Sequence, residues 1–282
     1  MRTMSLQEIT YLFKESRVKK DLFLIAFCIP LLLLLLFLLP SSIKNELILN
    51  YENLRALNLF TTHFMHGGMI HLGSNVMWYL YLVIPIYLLN MLRHQRKGFY
   101  LMFALTILVG PLFLSIVNLI VKYVCALQIS TSLGFSGIVC IFLGYLPYFI
   151  LYSLKKLYKW KTRISMLFLS LLFISFLLIT LVYYTLIIVI MCLGFSLICF
   201  YISYRDGSLR ELCTSLRTAS RTHKGIFVLI AMSIVLYFTG LLSIFPKELI
   251  VGGSVVDIMS HYFGFVFGIF ISLFVDKTES KG

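Results

Sequence analysis

The sequence predicts an all-α, multi-pass membrane protein, and three observations support this fold class. Hydrophobic residues make up 60% of the 282 residues and charged residues only 12%, which leaves too few charges to cover a soluble domain. The mean hydropathy is +0.98. The apolar runs are long enough to cross a hydrocarbon core of ~30 Å as helices, and they lack the alternating pattern of a membrane β-barrel. We therefore expect a membrane helix bundle.

The apolar runs, separated by charged or polar breaks, predict eight spanning helices. In chain order they cover residues 21–40, 69–92, 99–122, 134–152, 164–182, 183–203, 226–245 and 255–275. The uncharged stretch 164–203 is too long for one helix, so we place a hairpin turn near Tyr183, Tyr184 and Thr185. The predicted transmembrane domain is 21–275, between an N-terminal segment 1–20 and a C-terminal tail 276–282.

The lysine and arginine residues divide unequally between the two predicted sides of the membrane. Of the 24, 20 lie on the side of the N-terminus, and the other side holds Lys44, Arg55, Lys122 and Lys247. Because positively charged loops stay in the cytoplasm, this division predicts an even number of spans with both termini cytoplasmic. The simplest location is the plasma membrane of a prokaryote.

The composition argues against nucleic acid and metal as partners and indicates the lipid bilayer. The net charge of +13 comes from short basic clusters between apolar runs, not from a basic face with interleaved aromatic residues, so we expect no nucleic-acid binding. The six cysteines contain no CxxC pair and no metal-ligand spacing, so we expect neither a metal nor another cofactor. They are interpreted as small apolar packing residues.

Polar side chains occur in or beside three of the predicted spans. They are Ser136 in the stretch Gly134–Phe135–Ser136–Gly137, the set His66, His71 and Asn75, and His261 in the last span. We estimate depth by counting ~1.5 Å per residue from the charged residue at the cytoplasmic end of each span. Ser136, His71, Asn75 and His261 are then roughly 22 to 33 Å from that end, in the outer part of the bilayer. Polar side chains are costly in lipid, so this shared depth indicates a built site.

A serine–histidine pair in this layer predicts nucleophilic chemistry. The hydroxyl of Ser136 becomes a nucleophile when a base within hydrogen-bond reach takes its proton, and His261 is the natural base. A neutral imidazole accepts a proton near neutral pH. Asp257 lies one helical turn before His261, but the direction of side chains on a helix leaves a contact between them open. A dyad of Ser136 and His261 is therefore the favoured catalytic unit.

The oxyanion that forms when a carbonyl is attacked needs hydrogen-bond donors already in place. His71 and Asn75 are spaced i, i+4, which puts both side chains on one face of the second span. The backbone N–H of Ser136, at the start of a helix, adds a third donor. His66 is five residues before His71, and we expect it near the site, on a different part of the surface, with a structural role.

A serine on one helix and a histidine on another come close only if the two backbones approach each other. Gly264 and Gly268 form a small-xxx-small face on the last span. Gly137 and Gly144 lie seven residues apart on the span that carries Ser136. We expect these two faces to dock.

Each motif also has a plain structural interpretation. A serine in a membrane helix commonly bonds its own i−4 carbonyl, a lone histidine packs helices or lines an ion path, and a glycine pair simply associates two helices. Their coincidence at one depth, in spans whose orientation is set independently by the basic residues, favours a joint site.

Taken in order, His66-x4-His71-x3-Asn75, Gly134–Phe135–Ser136–Gly137 and His261-x2-Gly264-x3-Gly268 resemble the motifs of the rhomboid family of intramembrane serine proteases. The resemblance implies that Ser136 is the nucleophile, His261 the base, and His71 and Asn75 the oxyanion side chains. It implies cleavage of transmembrane protein substrates near their outer end, with release of their outer portions. By the same resemblance 164–203 is a hairpin inserted into a six-helix core, and 41–68 is similar to the family's first loop.

The sequence departs from this family pattern at two places. Cys140 occupies the position four after Ser136, where some members carry an aromatic residue that packs on the histidine. The Trp-Arg pair often found in the first loop is absent, and Asn53–Leu54–Arg55 is the nearest basic element. Neither departure removes a catalytic group.

Two other classes of function are compatible with a multi-pass chain of this composition. One is a catalytically inactive rhomboid-like protein that binds membrane clients, although such proteins usually lack the serine, the histidine or both. The other is a multi-span transporter, for which intramembrane histidines are a typical sign, but no inverted repeat is visible. The HExxH and GxGD motifs of zinc and aspartyl intramembrane proteases are both absent.

Overall fold

The computed structural model describes residues 16–126, 131–182, 186–245, 250–251, 254–255 and 258–279. Three predicted features fall wholly or mostly elsewhere in the chain. Most of the segment 1–20, the hairpin turn at 183–185 and Asp257 lie outside the described residues.

The described residues form twelve α-helices and four two-residue strands. The helices are α1 (Ser16–Phe37), α2 (Ser41–Leu47), α3 (Asn58–Thr61), α4 (Met69–Leu92), α5 (Arg96–Ala104), α6 (Gly110–Val124), α7 (Ser136–Tyr158), α8 (Ser165–Val182), α9 (Leu186–Arg205), α10 (Ser208–Thr222), α11 (Lys224–Ile244) and α12 (Ile258–Glu279). One π-helical turn, Leu105–Val109, joins α5 to α6, and one 3₁₀ turn, Thr62–Phe64, follows α3. The strands are β1 (Leu49–Asn50), β2 (Thr131–Ser132), β3 (Ile250–Val251) and β4 (Ser254–Val255).

Within the described ranges, six helical segments are long and apolar enough to cross a membrane. They are α1, α4, the continuous segment Arg96–Val124, α7, α9 and α11. Two shorter apolar helices, Ser165–Leu181 and Ile258–Phe274, lie where two further spans are predicted. The described chain is therefore that of a predominantly helical, multi-pass membrane protein, and the count of eight spans stays a prediction.

The chain divides into two compact units. Of the described residues, the first unit contains those within 16–20, 85–96 and 146–245, and the second contains those within 21–84, 97–145 and 250–279. All the predicted site residues belong to the second unit. The predicted site therefore lies within one unit.

In the first unit α8 and α9 lie side by side. The hydroxyl of Ser170 donates to the carbonyl of Ser196 at 3.3 Å, and the rings of Phe173 and Phe195 stack at 5.1 Å. Residue numbers rise along α8 as they fall along α9 between these two contacts, as expected for the antiparallel arms of a hairpin. The side-by-side packing of two helices predicted within 164–203 is confirmed.

The first unit also contains a helix that the sequence interpretation treated only as a basic connection. Helix α10 buries Ser208, Ser215 and Ala219 on one face. The indole of Trp160 donates to the Ser215 hydroxyl at 2.6 Å. The carboxylate of Glu211 accepts hydrogen bonds from the backbone N–H of Lys161 at 3.0 Å and of Thr162 at 3.1 Å. These bonds hold α10 against the segment that follows α7.

In the second unit aromatic rings surround the start of α7. Tyr79 of α4 packs edge-on against Phe135 at 5.8 Å and against Phe142 at 5.7 Å between ring centroids. The Tyr79 hydroxyl donates to the carbonyl of Ile25 in α1 at 2.9 Å. This packing connects α1, α4 and α7 and holds the beginning of α7 in place.

Candidate functional site

The loop that leads into α7 is held by Thr62, which is fully buried. Strands β1 and β2 pair antiparallel, with Leu49 opposite Ser132. The Thr62 hydroxyl accepts a hydrogen bond from the N–H of Leu49 at 3.1 Å and donates to the carbonyl of Ser132. The Thr62 carbonyl accepts from the N–H of Gly134 at 3.2 Å. One buried threonine thus ties the 41–68 region to the two residues that approach Ser136.

Gly134 adopts a backbone conformation that side chains rarely tolerate, with φ of 128°. A methyl group added there would lie 3.1 Å from Cε1 and 3.4 Å from Nε2 of His71, and 3.7 Å from Oγ of Ser136. The imidazole of His71 and the hydroxyl of Ser136 therefore both lie beside the α-carbon of Gly134. The structure brings these two predicted site residues together.

Ser136 is the first residue of α7, and its side chain is half-buried. The neighbouring ring of Phe135 is fully buried and packs against Phe64 at 5.8 Å. The bond from the N–H of Val139 to the carbonyl of Phe135, at 3.1 Å, begins the helical ladder. Helix geometry leaves the N–H groups of the preceding turn, including that of Ser136, without an intrahelical acceptor. These are donors of the kind an oxyanion needs.

Helices α7 and α12 contact each other backbone to backbone through glycine. A side chain at Gly264 would overlap the carbonyl oxygen of Gly137, and one at Gly268 would overlap the carbonyl oxygen of Ile141. The α-carbon of Gly144 lies 3.1 Å from the position that a methyl group at Gly268 would take. The predicted docking of the two glycine faces is confirmed.

This contact sets the level of His261 along α7. Gly264 lies over Gly137 and Gly268 over Ile141, so the two helices run parallel with a constant offset in residue number. His261 precedes Gly264 by one turn on the same face of α12, and it is buried. One turn before Gly137 is Gly134, in the loop that leads into α7, and Ser136 lies between these two glycines.

The two members of the predicted dyad are related by the packing of α7 against α12 and not, in the described part of the chain, by a hydrogen bond between them. Among the described residues no hydrogen bond joins the Ser136 hydroxyl to the nitrogens of His261. Such contacts often tighten only when substrate is bound. The glycine contact brings together the first turns of the two helices that carry these residues.

His66 lies inside the predicted site, and its placement on a different part of the surface is wrong. Its ring packs edge-on against His71, with centroids 5.2 Å apart, and its Nε2 is 3.0 Å from the amide nitrogen of Asn75. Its Nδ1 is 3.3 Å from the carbonyl of Phe64, which makes Nδ1 the donor and Nε2 the acceptor. The chain before α4 folds back over the helix, so helical spacing does not apply to His66.

The contacts of His66 orient the two predicted oxyanion residues. His71 is half-buried beside Gly134 and Ser136, whereas Asn75 is buried and uses one amide N–H on His66. The Asn75 amide carries a second N–H. Burial, and next the neighbouring His71, lower the pKa of His66 to about 4 from its ordinary 6.5, so His66 is neutral at physiological pH. The structural role predicted for His66 is consistent with these bonds.

Cys140, the predicted departure from the family pattern, lies within the contact of α7 and α12. It is fully buried, and its Cβ lies 3.2 Å from the position that a methyl group at Gly264 would take. A larger side chain at residue 140 would press on the backbone of α12 one turn beyond His261. The small cysteine thus matches the close approach of these helices.

Two polar residues of α6 belong to the same region and were not singled out from the sequence. The hydroxyl of Ser115 lies 3.0 Å from Nε2 of His63 and donates to the carbonyl of Leu59 at 2.6 Å. The amide of Asn118 donates to the hydroxyl of Ser260 at 2.6 Å. Both are buried and three residues apart in an apolar span, which is itself a sequence signal for a polar contact between helices.

Comparison of the chain with protein-family models, with curated proteins and with solved structures returned no match. The resemblance to the rhomboid family therefore rests on the motifs and their spacing. The contacts among the site residues of the second unit do not depend on that resemblance.

Proposed function

We propose that this protein is a rhomboid-type intramembrane serine endopeptidase. The observation that carries the proposal is the glycine contact between α7 and α12, which brings the first turn of α12, with His261, against the first turn of α7, with Ser136. The position of His71 beside Gly134 and Ser136 adds a donor to the same place. A nucleophile, a base and a donor contributed by three helices are the minimum for acyl transfer.

In the proposed reaction Ser136 attacks the carbonyl carbon of the scissile peptide bond while His261 takes the hydroxyl proton. His261 then gives this proton to the leaving amide nitrogen, and an acyl-enzyme ester remains on Ser136. Water attacks the ester and loses a proton to His261, which returns it to the Ser136 oxygen. The enzyme is restored without a metal or other cofactor.

The oxyanion of each tetrahedral intermediate would be stabilised by donors at the start of α7 and on α4. These are the backbone N–H groups of the first turn of α7, the imidazole of His71 and the second N–H of Asn75. His66 holds the Asn75 amide through one N–H and packs against the His71 ring. The donors are thus positioned before the reaction begins, as efficient oxyanion stabilisation requires.

The proposed substrates are transmembrane helical proteins cleaved near their outer end. The division of basic residues places Ser136 in the outer part of the bilayer with both termini cytoplasmic, and the simplest setting is the plasma membrane of a prokaryote. Cleavage there would release the outer portion of the substrate. The 164–203 hairpin would be an insertion in the six-helix core.

Cleavage of a single-span substrate protein in proteoliposomes tests this function. We expect Ser136→Ala and His261→Ala each to lower the rate by about 10³-fold or more, because the nucleophile and the base act as one unit. Ser233→Ala is the matched control, since Ser233 is a buried serine of α11 that bonds to the Leu229 carbonyl of its own helix. Unchanged cleavage by Ser136→Ala would contradict the proposal, and substrate binding without cleavage by the wild type would favour the client-binding alternative.

A further inference from the structure

The geometry points to Asn118 as a positioning residue for the base, acting on His261 through Ser260. This inference rests on the proposed function, because it assigns Asn118 to the same site. Asn118 lies on α6, which contributes neither member of the Ser136–His261 dyad. The one-turn separation of Asn118 from Ser115 also provides a matched control.

The contact that carries the inference is a buried hydrogen bond between helices far apart in sequence. The amide nitrogen of Asn118 lies 2.6 Å from the hydroxyl of Ser260, 142 residues later. Both side chains are buried. An amide in an apolar environment is costly unless it is bonded, so this bond strongly favours one rotation of the first turn of α12.

Ser260 is held from a second side by α7. A methyl group added at Gly137 would lie 3.2 Å from Cβ and 3.4 Å from the carbonyl oxygen of Ser260. The residue after the proposed nucleophile therefore touches the residue before the proposed base. With Asn118 on one side and Gly137 on the other, the N-terminal turn of α12 is fixed in both rotation and distance from α7.

Rotation of that turn controls where the imidazole of His261 points. A helix with its side chains is about 10–12 Å across, so a side-chain tip lies about 5–6 Å from the axis. A rotation of about 20° then moves the tip by about 2 Å. A misplacement of 1 Å at a reacting group can cost about 10²-fold in rate. Losing the bond between Asn118 and Ser260 would thus displace the imidazole of His261 without changing the identity of any proposed catalytic residue.

Histidine-selective ¹⁵N NMR of the detergent-solubilised protein tests the positional part of the inference. His261 is assigned with His261→Gln and His63 with His63→Gln. We expect Asn118→Leu, which keeps the size of the side chain, and Ser260→Ala each to shift the imidazole signals of His261. Ser115→Ala is the matched control and is expected to shift His63, its hydrogen-bond partner, and to leave His261 in place.

Steady-state cleavage tests the catalytic part. We expect Asn118→Leu and Ser260→Ala each to lower kcat by about 10-fold or more with little change in KM, and to shift the acid limb of the kcat–pH profile. The double variant is expected to fall no further than either single variant, because both remove one bond. Ser115→Ala is expected to keep the wild-type pH profile.

The possible results separate this inference from the proposed function. An inactive wild type would contradict the function, and the His261 signals would still show whether Asn118 positions that ring. An active wild type whose His261 signals and pH profile are unaltered in both Asn118→Leu and Ser260→Ala would overturn the inference alone. Additive losses in the double variant would also overturn it, since the two residues would then act separately.

Discussion

At the scale of single residues, the contacts of His66 predict how the site responds to acid. It is buried, it donates to the Phe64 carbonyl and it accepts from Asn75, so its neutral form is the one that fits. Protonation would place a donor where Nε2 now accepts, and it would add a charge beside His71. The orientation of the Asn75 amide therefore depends on His66 staying neutral.

This dependence predicts a loss of stability in mild acid. The pKa of His66 is about 4 in the folded protein and 6.5 as its ordinary value, so its contribution is complete above pH 6.5. As the pH falls below 6.5 the unfolded state binds the proton first, and stability declines until the folded state also protonates near pH 4. The total loss is about 3 kcal/mol.

Thermal unfolding between pH 7.5 and pH 4 measures this effect. We expect Tm to fall with pH less steeply in His66→Gln than in the wild type. The exposed His94 provides a control for the change of residue type, and the curve of His66→Gln is compared with that of His94→Gln. Parallel curves for the wild type and His66→Gln would show that His66 does not titrate as its surroundings require.

Sequence reasoning at this scale succeeded where a residue sits in a regular helix and failed where the chain turns. The spacing of His71 and Asn75 and the glycine faces were predictable because helical periodicity fixes which residues share a side. The placement of His66 and the role of Thr62 were not, because both depend on a loop folding back onto distant segments. Asn118 could have been singled out as a polar residue in an apolar span, but the sequence does not indicate that its partner is Ser260.

At the scale of elements, the close contact of α7 and α12 depends on the absence of side chains at two positions of α12. Gly264 and Gly268 each face a backbone carbonyl of α7, at Gly137 and Ile141. A backbone atom cannot move aside as the tip of a flexible side chain can. Any side chain at either position must separate the helices, and with them Ser136 and His261.

We therefore expect Gly268→Ala to destabilise the protein and to abolish cleavage. A methyl group at Gly268 would overlap the Ile141 carbonyl, and no rotamer relieves the overlap. Gly194→Ala is the matched control, because Gly194 lies in helix α9 and nothing lies within 4 Å of a methyl group placed there. We expect Tm to fall by several degrees for Gly268→Ala and to stay near the wild-type value for Gly194→Ala. Equal Tm and activity in the two variants would show that the α7–α12 contact is looser than described.

Helix α10 shows what a search for spanning segments overlooks. Its sequence is too polar to be a span, so the hydropathy pattern treated it as a connection. Yet Arg210, Arg217 and Arg221 are exposed on one stripe opposite its buried residues. The sequence alone shows the helical period of α10. It does not show the hydrogen bonds of Trp160 and Glu211 that hold the helix, because these bonds join segments about fifty residues apart.

At the scale of the whole molecule, the orientation in the membrane is a prediction that two native cysteines can test. Cys125 ends the helix Gly110–Val124 and is exposed, and Cys213 is exposed on α10. The division of basic residues predicts that Cys125 lies outside and Cys213 in the cytoplasm. The same division predicts that Ser136 lies near the outer surface.

A membrane-impermeant maleimide distinguishes the two sides in intact cells. We expect labelling of Cys125 in intact cells, and labelling of Cys213 only after the cells are permeabilised. Cys125→Ser and Cys213→Ser identify which residue carries the label. The opposite pattern would invert the topology and move Ser136 to the cytoplasmic side of the membrane.

The membrane-spanning segments were predictable at this scale because lipid requires long apolar helices with satisfied backbones. Six such helices lie in the described ranges at predicted places, and the helices α8 and α12 match the remaining two. The apolar pattern does not indicate which helices contact one another. Contacts such as Asn118 with Ser260 depend on side chains more than a hundred residues apart, and hydropathy carries no signal for such pairs.

The central claim is that Ser136 is a nucleophile activated by His261, and covalent labelling tests it most directly. The purified protein is treated with a fluorophosphonate probe, and the modified residue is identified by peptide mass spectrometry. We predict one adduct on Ser136 in the wild type, and none in folded His261→Ala. An intact, folded wild type that takes up no probe, or carries it elsewhere than on Ser136, would contradict the account.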